Sequence, residues 1–199
     1  MIKPNGYDEV QAFQEFKRLP KGGYICRIVK LEEAKSKNGN DMVVVYLDIA
    51  DGEFKGHFME RYQNDTRPEK KWGCVYRQVV LDTTTQKTSS GFKGFITSVE
   101  ESNPGFVNAS IWNDNFTKYF KDKYIGCIFA DEHYYDTEGK ERISTKPNRL
   151  CSVDTIKKGN YKIPDDILPK TAAPSNDVNG FDNMGFSVIQ PLPGDKLPF

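Results

Sequence analysis

The sequence predicts a mainly β domain: a small five-stranded barrel with one helix between its third and fourth strands, elaborated loops and a disordered C-terminal tail. Three observations predict it. Strand-like apolar runs recur along the body, one stretch alone carries a clear helical stripe, and the composition changes abruptly at Pro164.

Residues 1–19 read as an N-terminal lead segment, amphipathic because Val10, Phe13 and Phe16 fall at helical spacing, and expected to pack on the body. Residues 23–31 alternate around Tyr24, Ile25, Cys26, Ile28 and Val29 and form the first strand. Asn38-Gly39 is a strong hairpin signal, since both positions tolerate the positive φ of a tight turn. Residues 41–49 answer as the second strand, with Val43, Val45, Leu47 and Ile49 on the better core face and Met42, Val44, Tyr46 and Asp48 on the other. Asp51-Gly52 turns the chain into a third strand over residues 54–62. After an irregular basic segment, Ser89 or Ser90 caps a helix in which Phe92, Phe95, Ile96 and Val99 share one stripe, and Asn103-Pro104-Gly105 stops it. Residues 124–135 and 141–153 complete the domain as a hairpin about Thr137-Glu138-Gly139. Three strands, a helix and a final hairpin are the order of the OB-fold, a Greek-key barrel whose exposed face and loops bind oligonucleotides. An OB-fold-like nucleic-acid-binding domain is therefore expected at residues 20–163.

From Pro164 onward the chain holds six of its eleven prolines, no tryptophan or tyrosine, and clusters of Asn, Asp, Gly and Ser. Such a stretch buries too little apolar surface to offset its ordering entropy, so residues 164–199 are expected to be a flexible tail. Five acidic and two basic residues give it a charge of −3, and a chain that is neutral overall leaves +3 on residues 1–163. A positive body on a negative leash fits a body that meets phosphates and a leash that meets proteins. Within the tail, Phe181, Met184, Phe186, Val188 and Ile189 form an apolar island that either docks on the body or acts as a second recognition segment. At its end, Asp195, Leu197, Pro198 and Phe199 set an aromatic ring and a carboxylate together as a plug for a partner's pocket. Burying that ring contributes roughly 1.5–3 kcal/mol.

Other function classes find little support. No run of about 18 apolar residues exists to span a membrane, and no basic-then-apolar leader opens the chain, so a cytoplasmic setting is expected. Cys26, Cys74, Cys127 and Cys151 are widely spaced without a Cys-x-x-Cys pair, and His57 and His133 are far from one another; free core cysteines are expected, not a metal site. The sequence has no Gly-rich phosphate loop ending in Gly-Lys-Ser/Thr, no nucleophile elbow and no His-Glu-x-x-His pattern. Asp48, Asp51, Asp131, Glu132 and Asp136 read as turn and surface carboxylates, not as magnesium ligands of a nuclease. The chain is expected to bind without catalysis and without a cofactor.

What it binds is read from residues 61–77, where Arg61, Tyr62, Arg67, Lys70, Lys71, Trp72, Tyr76 and Arg77 are opposed by Asp65 and Glu69 alone. Cations interleaved with aromatics suit a single strand, whose phosphates want charges at intervals and whose unpaired bases expose flat faces for stacking. Lys35 and Lys37 at the first hairpin, Tyr46 on the second strand, and Lys146 and Arg149 on the last extend the same groove.

Two resemblances bear on this reading. The terminal residues Asp195 to Phe199 resemble the acidic tip of bacterial single-stranded-DNA-binding proteins, which end in Asp-Asp-Ile-Pro-Phe or Asp-Asp-Leu-Pro-Phe and recruit replication and repair enzymes; Lys196 stands where a second acidic residue is usual. Leu19-Pro20-x-Gly22-Gly23-Tyr24, Lys35-Ser36-Lys37-Asn38-Gly39, Asp48 through Gly56, Lys70-Lys71-Trp72-Gly73 and Phe92-Lys93-Gly94-Phe95-Ile96 with Ser102-Asn103-Pro104-Gly105-Phe106 resemble a family of prophage-encoded proteins thought to bind single-stranded DNA, long described only as a domain of unknown function. These resemblances imply an OB-like fold, a place in phage DNA replication or recombination, and partners that are single-stranded DNA and replication or repair enzymes. A protein-binding adaptor and an RNA-binding OB-domain are the alternatives, and oligomeric state, including a homo-oligomer, carries no sequence signal.

Overall fold

The computed structural model describes residues 2–8 and 17–169. Five strands, β1 (Gly22–Lys35), β2 (Asp41–Ile49), β3 (Val75–Val79), β4 (Tyr124–Tyr135) and β5 (Glu141–Cys151), make one antiparallel sheet in the order β3-β2-β1-β4-β5. The helices α1 (His57–Gln63), α2 (Ser90–Ser102) and α3 (Val153–Lys157) pack on it, with short 3₁₀ turns at Asn108–Ser110 and Phe116–Phe120.

The first hairpin forms about Asn38-Gly39, where Gly39 takes a φ of 78° and its N–H donates to the Ser36 carbonyl at 2.9 Å. Alternation on β2 resolves as the pattern demands: Val43, Val45, Leu47 and Ile49 are in the core. Met42, Val44 and Asp48 are buried as well, while Tyr46 between them is half-buried. Asp48 earns its place by capping, since its carboxylate accepts from the Ile49 and Phe58 N–H groups at 2.9 and 3.0 Å and so holds the first turn of α1. Burial pushes the Asp48 carboxyl above its ordinary value, against those two bonds.

That first turn of α1 is where the expected third strand fails. Residues 54–62 are a turn followed by a helix, and the third strand lies in the basic segment expected to be irregular. Phe54, Phe58 and Tyr62 recur every four residues, a spacing that places them on one side of either a strand or a helix. Gly56, at φ 76°, and the Asp48 carboxylate decide for the helix. β3 forms because Met42 to Tyr46 of β2 offers it a ladder. The expected barrel is an open sheet, with β3 and β5 as its edges.

On α2 the expectation holds in detail. Ser89 Oγ accepts from the Phe92 N–H at 3.1 Å, and Phe92, Phe95, Ile96 and Val99 are buried. The buried Asn103 amide then joins the helix end to β4, donating to the Val99 and Tyr124 carbonyls at 2.7 and 2.8 Å and accepting from the Tyr124 N–H at 2.8 Å. Between these points the chain loops back, and Phe106, Phe116 and Phe120 pack with Phe95 into an aromatic sub-core that sequence reasoning did not anticipate. Cys26, Cys74 and Cys127 are buried free thiols, as their apolar strand-like settings suggested.

Residues 164–169, expected within the tail, belong to a strap that finishes the sheet. β1 pairs with β4 only as far as Gly22 opposite Phe129, so β4 beyond that point lacks a neighbour on one side. Ile167 supplies it in parallel: its N–H donates to the Asp131 carbonyl and its carbonyl accepts from the His133 N–H, both at 2.8 Å. Upstream, the Tyr161 hydroxyl accepts from the Gly23 N–H at 3.2 Å, and a Cβ at Gly23 would lie 2.4 Å from the Tyr161 ring, which is why glycine stands there. Lys21 holds Asp166 at 2.6 Å, and the His133 ring lies between Glu141 at 2.7 Å and Asp166 at 3.6 Å.

These carboxylates, Glu141 first, raise the His133 pKa above its ordinary 6.5. The part of this shift that comes from Asp166 of the strap means that protonated His133 favours the docked strap, fully so below pH 6.5 and progressively less as pH rises through the raised value. Amide exchange at Ile167 and His133 is therefore expected to quicken, relative to the rest of β4, as pH climbs through that window, and His133→Gln is expected to remove the pH dependence. Equal protection of both amides across the window would count against the coupling.

Candidate nucleic-acid interface

Directly paired residues in adjacent strands share a face, so the register builds the site row by row. Lys30, Tyr46 and Val75 form one row across β1, β2 and β3; Glu32, Val44 and Arg77 the next; Ala34, Met42 and Val79 the third. This face is turned away from Val43, Val45, Leu47 and Ile49. It brings Tyr46 and Arg77, 31 positions apart in the chain, into adjacent rows on neighbouring strands. Lys30 stands over the Tyr46 ring at 5.8 Å, and the Tyr46 hydroxyl donates to Glu32 at 2.7 Å, so the tyrosine is held in a fixed pose. Glu32 also pairs with Lys30. Arg77 is exposed and makes no ion pair among the described residues.

β5, which carries Lys146, comes near β3 across the open side of the sheet. Burial pushes the Cys74 thiol well above its ordinary pKa, and Cys26 and Asp48 add to the shift. A bulge on β5 at Asn148 pairs Lys146 with Ala130 and Arg149 with Ile128, so two cations three positions apart emerge on one side of the strand. Both are exposed.

The aromatic members of the 61–77 segment are placed otherwise than expected. Trp72 is 8% exposed and its indole N–H donates to the Leu47 carbonyl at 2.8 Å. It is a core residue at the end of β2, not an open ring. Tyr76 lies opposite Val45 and turns inward, its hydroxyl meeting Gln78 at 3.3 Å, and burial raises its pKa. Tyr62 is half-buried against Trp72 at 5.5 Å, with the Lys70 ammonium over its ring at 5.7 Å. For Tyr62 and Tyr76 a short helix and a strand each turn one side inward, and sequence spacing alone left open which side carried the rings; Trp72, between α1 and β3, is covered by Tyr62 and the Leu47 backbone.

Among the cations, Arg61, Lys71 and Lys37 are exposed without ion pairs among the described residues. Arg67 is engaged by Asp65 at 2.6 Å, a pairing that pulls the Asp65 carboxyl down to about 2, and Lys35 is engaged by Asp41 at 2.7 Å. The structure thus brings Tyr46 and Arg77 onto one sheet face, with Lys146 and Arg149 on the other edge strand and Arg61, Tyr62 and Lys70 grouped around α1. Val10, Phe13, Phe16, the apolar island at 181–189 and the tip residues Asp195, Leu197, Pro198 and Phe199 lie outside the described residues.

Residues 5–89 match the model of a family described as protein of unknown function (DUF669). The match takes in β1, β2, α1 and β3 and ends at the Ser89 cap of α2, so it includes the whole of the three-row face. No curated protein matches the chain.

Sequence reasoning passed over two residues that the structure places at or near this face. Lys30 was passed over because an isolated lysine on a strand carries no pattern. Trp112 was passed over because no periodicity surrounds it, although a tryptophan amid Asn113, Asp114 and Asn115 stands in turn-forming company, and turns lie on the surface. It is 57% exposed.

Proposed function

We propose that this chain binds single-stranded DNA, largely without sequence preference, across the β2–β3 face. The observation that carries the reading is the convergence of Tyr46, Arg77 and Lys30 on adjacent rows of one face, with β5, the strand of Lys146, drawn up near β3. A ring fixed in place offers a stacking surface, and cations at intervals meet successive phosphates. Five antiparallel strands with a helix between the third and fourth, and β3 drawn up beside β5, fit a partly open barrel of OB type, in which the face of the second and third strands binds oligonucleotides. On this reading the protein acts by binding and not by catalysis, in the cytoplasm, within a phage or prophage replication and recombination module. Its tip at Asp195 to Phe199 recruits replication or repair enzymes, as the resemblance to bacterial single-strand-binding tips suggests.

Fluorescence anisotropy of a labelled dT oligomer at several salt concentrations tests it. Each lysine or arginine lost from the phosphate path is expected to flatten the log–log salt slope by about 0.7. Arg77→Ala and Lys146→Ala are each expected to do so while leaving the unfolding transition in place. A matched RNA oligomer separates an RNA-binding role. No binding of the dT oligomer at low salt would refute the proposal.

A further inference from the structure

We propose that Trp112 is a base-stacking platform, and that the concavity it forms with α2 takes one unpaired nucleobase of the strand bound on the sheet face. The inference rests on the single-strand reading and names a site that lies outside the residues on which that reading was built.

The geometry begins with the ring. Trp112 stacks on Phe116 with centroids 5.5 Å apart and planes at 18°, and meets Phe92 edge-on at 6.3 Å. Phe116 and Phe92 are buried, so they hold the indole from one side, and its 57% exposure lies on the other. The result is a flat apolar surface fixed in position and open on one face, which is what a base requires. The indole N–H makes no hydrogen bond among the described residues, in contrast to that of Trp72.

Around the ring the chemistry is that of a heterocycle site. Two adjoining concavities, about 330 and 480 Å³, meet at Trp112 and Phe92 and fall in the size range of small-ligand pockets. Thr88, Lys93 and Asn108 add polar groups to the first. The Asn108 amide nitrogen is committed to Glu100 at 2.5 Å, which leaves its carbonyl oxygen as an acceptor. Lys93 is exposed and unpaired among the described residues, as a phosphate contact needs. Glu33 and Asp41 line the second concavity, with Asp41 held by Lys35. Carboxylates on that side oppose a phosphate and leave the space to a neutral ring.

Continuity with the sheet selects the occupant. The second concavity takes Ala34 and Met42 from the row that follows Glu32, Val44 and Arg77, and Glu33, Asp41 and Val43 from the opposite face, so it lies at the hairpin end of β1 and β2 where the two faces meet. Successive rows on one face are two residues apart, roughly 7 Å. A strand that stacks on Tyr46 and passes Arg77 therefore reaches the Trp112 concavity by rounding the hairpin end of β1 and β2.

The chain has two tryptophans, one buried and one exposed, so its own fluorescence reads the site. A dT oligomer is titrated into the full chain, following intrinsic emission and, in parallel, the anisotropy of a labelled oligomer, with wild type, Trp112→Phe and Trp112→Ala. Quenching is expected in the wild type and absent in Trp112→Phe. Trp112→Ala is expected to weaken binding by about 5- to 150-fold, the worth of one stacked base. Binding by anisotropy with unchanged Trp112 emission and unchanged affinity of Trp112→Ala would overturn the platform while leaving the sheet-face reading intact; no binding at all would overturn both. A synthetic peptide of residues 191–199 that quenches Trp112 where the oligomer does not would assign the groove to the chain's own tail and equally overturn the proposal.

Discussion

Phe120→Ala is expected to lower the unfolding free energy by about 3–5 kcal/mol, read from the midpoint of a urea transition at unchanged slope. The ring is fully buried and touches three others: it stacks on Phe95 at 5.3 Å and 21°, and meets Phe106 at 5.4 Å and Phe116 at 5.0 Å. Removing it opens a cavity where α2, the Phe116–Phe120 turn and β1 come together, a place where the backbone is too constrained to collapse. Because Phe116 in the same turn supports Trp112, the variant is also expected to blunt any oligonucleotide-induced change in Trp112 emission. A loss under about 1 kcal/mol, the range of surface changes, would mean that the sub-core is not a structural unit.

Trp72→Ala is expected to cost a similar amount, about 3–5 kcal/mol. Its indole fills the space beside Tyr62 and its N–H satisfies the Leu47 carbonyl, so truncation leaves both a cavity and an unpaired acceptor. Trp72→Phe separates packing from binding. It retains most of the ring and loses the hydrogen bond, with an expected cost of about 1–3 kcal/mol and no change in oligonucleotide affinity once folded. A strand stacked on Trp72 would produce the reverse, weaker binding at nearly unchanged stability. That outcome would return the site to the 61–77 segment and remove it from the sheet face.

How much of this was legible beforehand differs from element to element. The β1–β2 hairpin, α2 and the β4–β5 hairpin were readable because their signals are local: Asn38-Gly39 for the turn, Ser89 for the cap, and apolar residues at the right period on each side. The exchange of strand and helix at residues 54–79 was not readable. A repeat of four fits both periods, and Val75, Tyr76 and Val79 of β3 become a strand where the edge of β2 offers them a ladder. The same holds for the strap, where Ile167 is ordered because β4 outruns β1 and leaves backbone groups to be paired.

For the site, residue types were legible and their arrangement was not. Tyr46 and Arg77 could be chosen as the kind of groups a single strand requires, yet nothing in the chain order says that they meet at one face. Trp72 and Trp112 are chemically identical, and their opposite exposure follows from what folds over them: the Leu47 backbone and Tyr62 over the first, solvent over one face of the second.

By itself, then, the sequence determined the strand-rich architecture, the capped helix, and the pool of cations and rings from which an interface is drawn, because propensity, turn chemistry and apolar period act over a few neighbouring residues. Only the tertiary structure decided which of those cations and rings share a face and which rings are open to a base. Register, burial and the covering of one segment by another are set by contacts between residues far apart in the chain, and no local pattern encodes them.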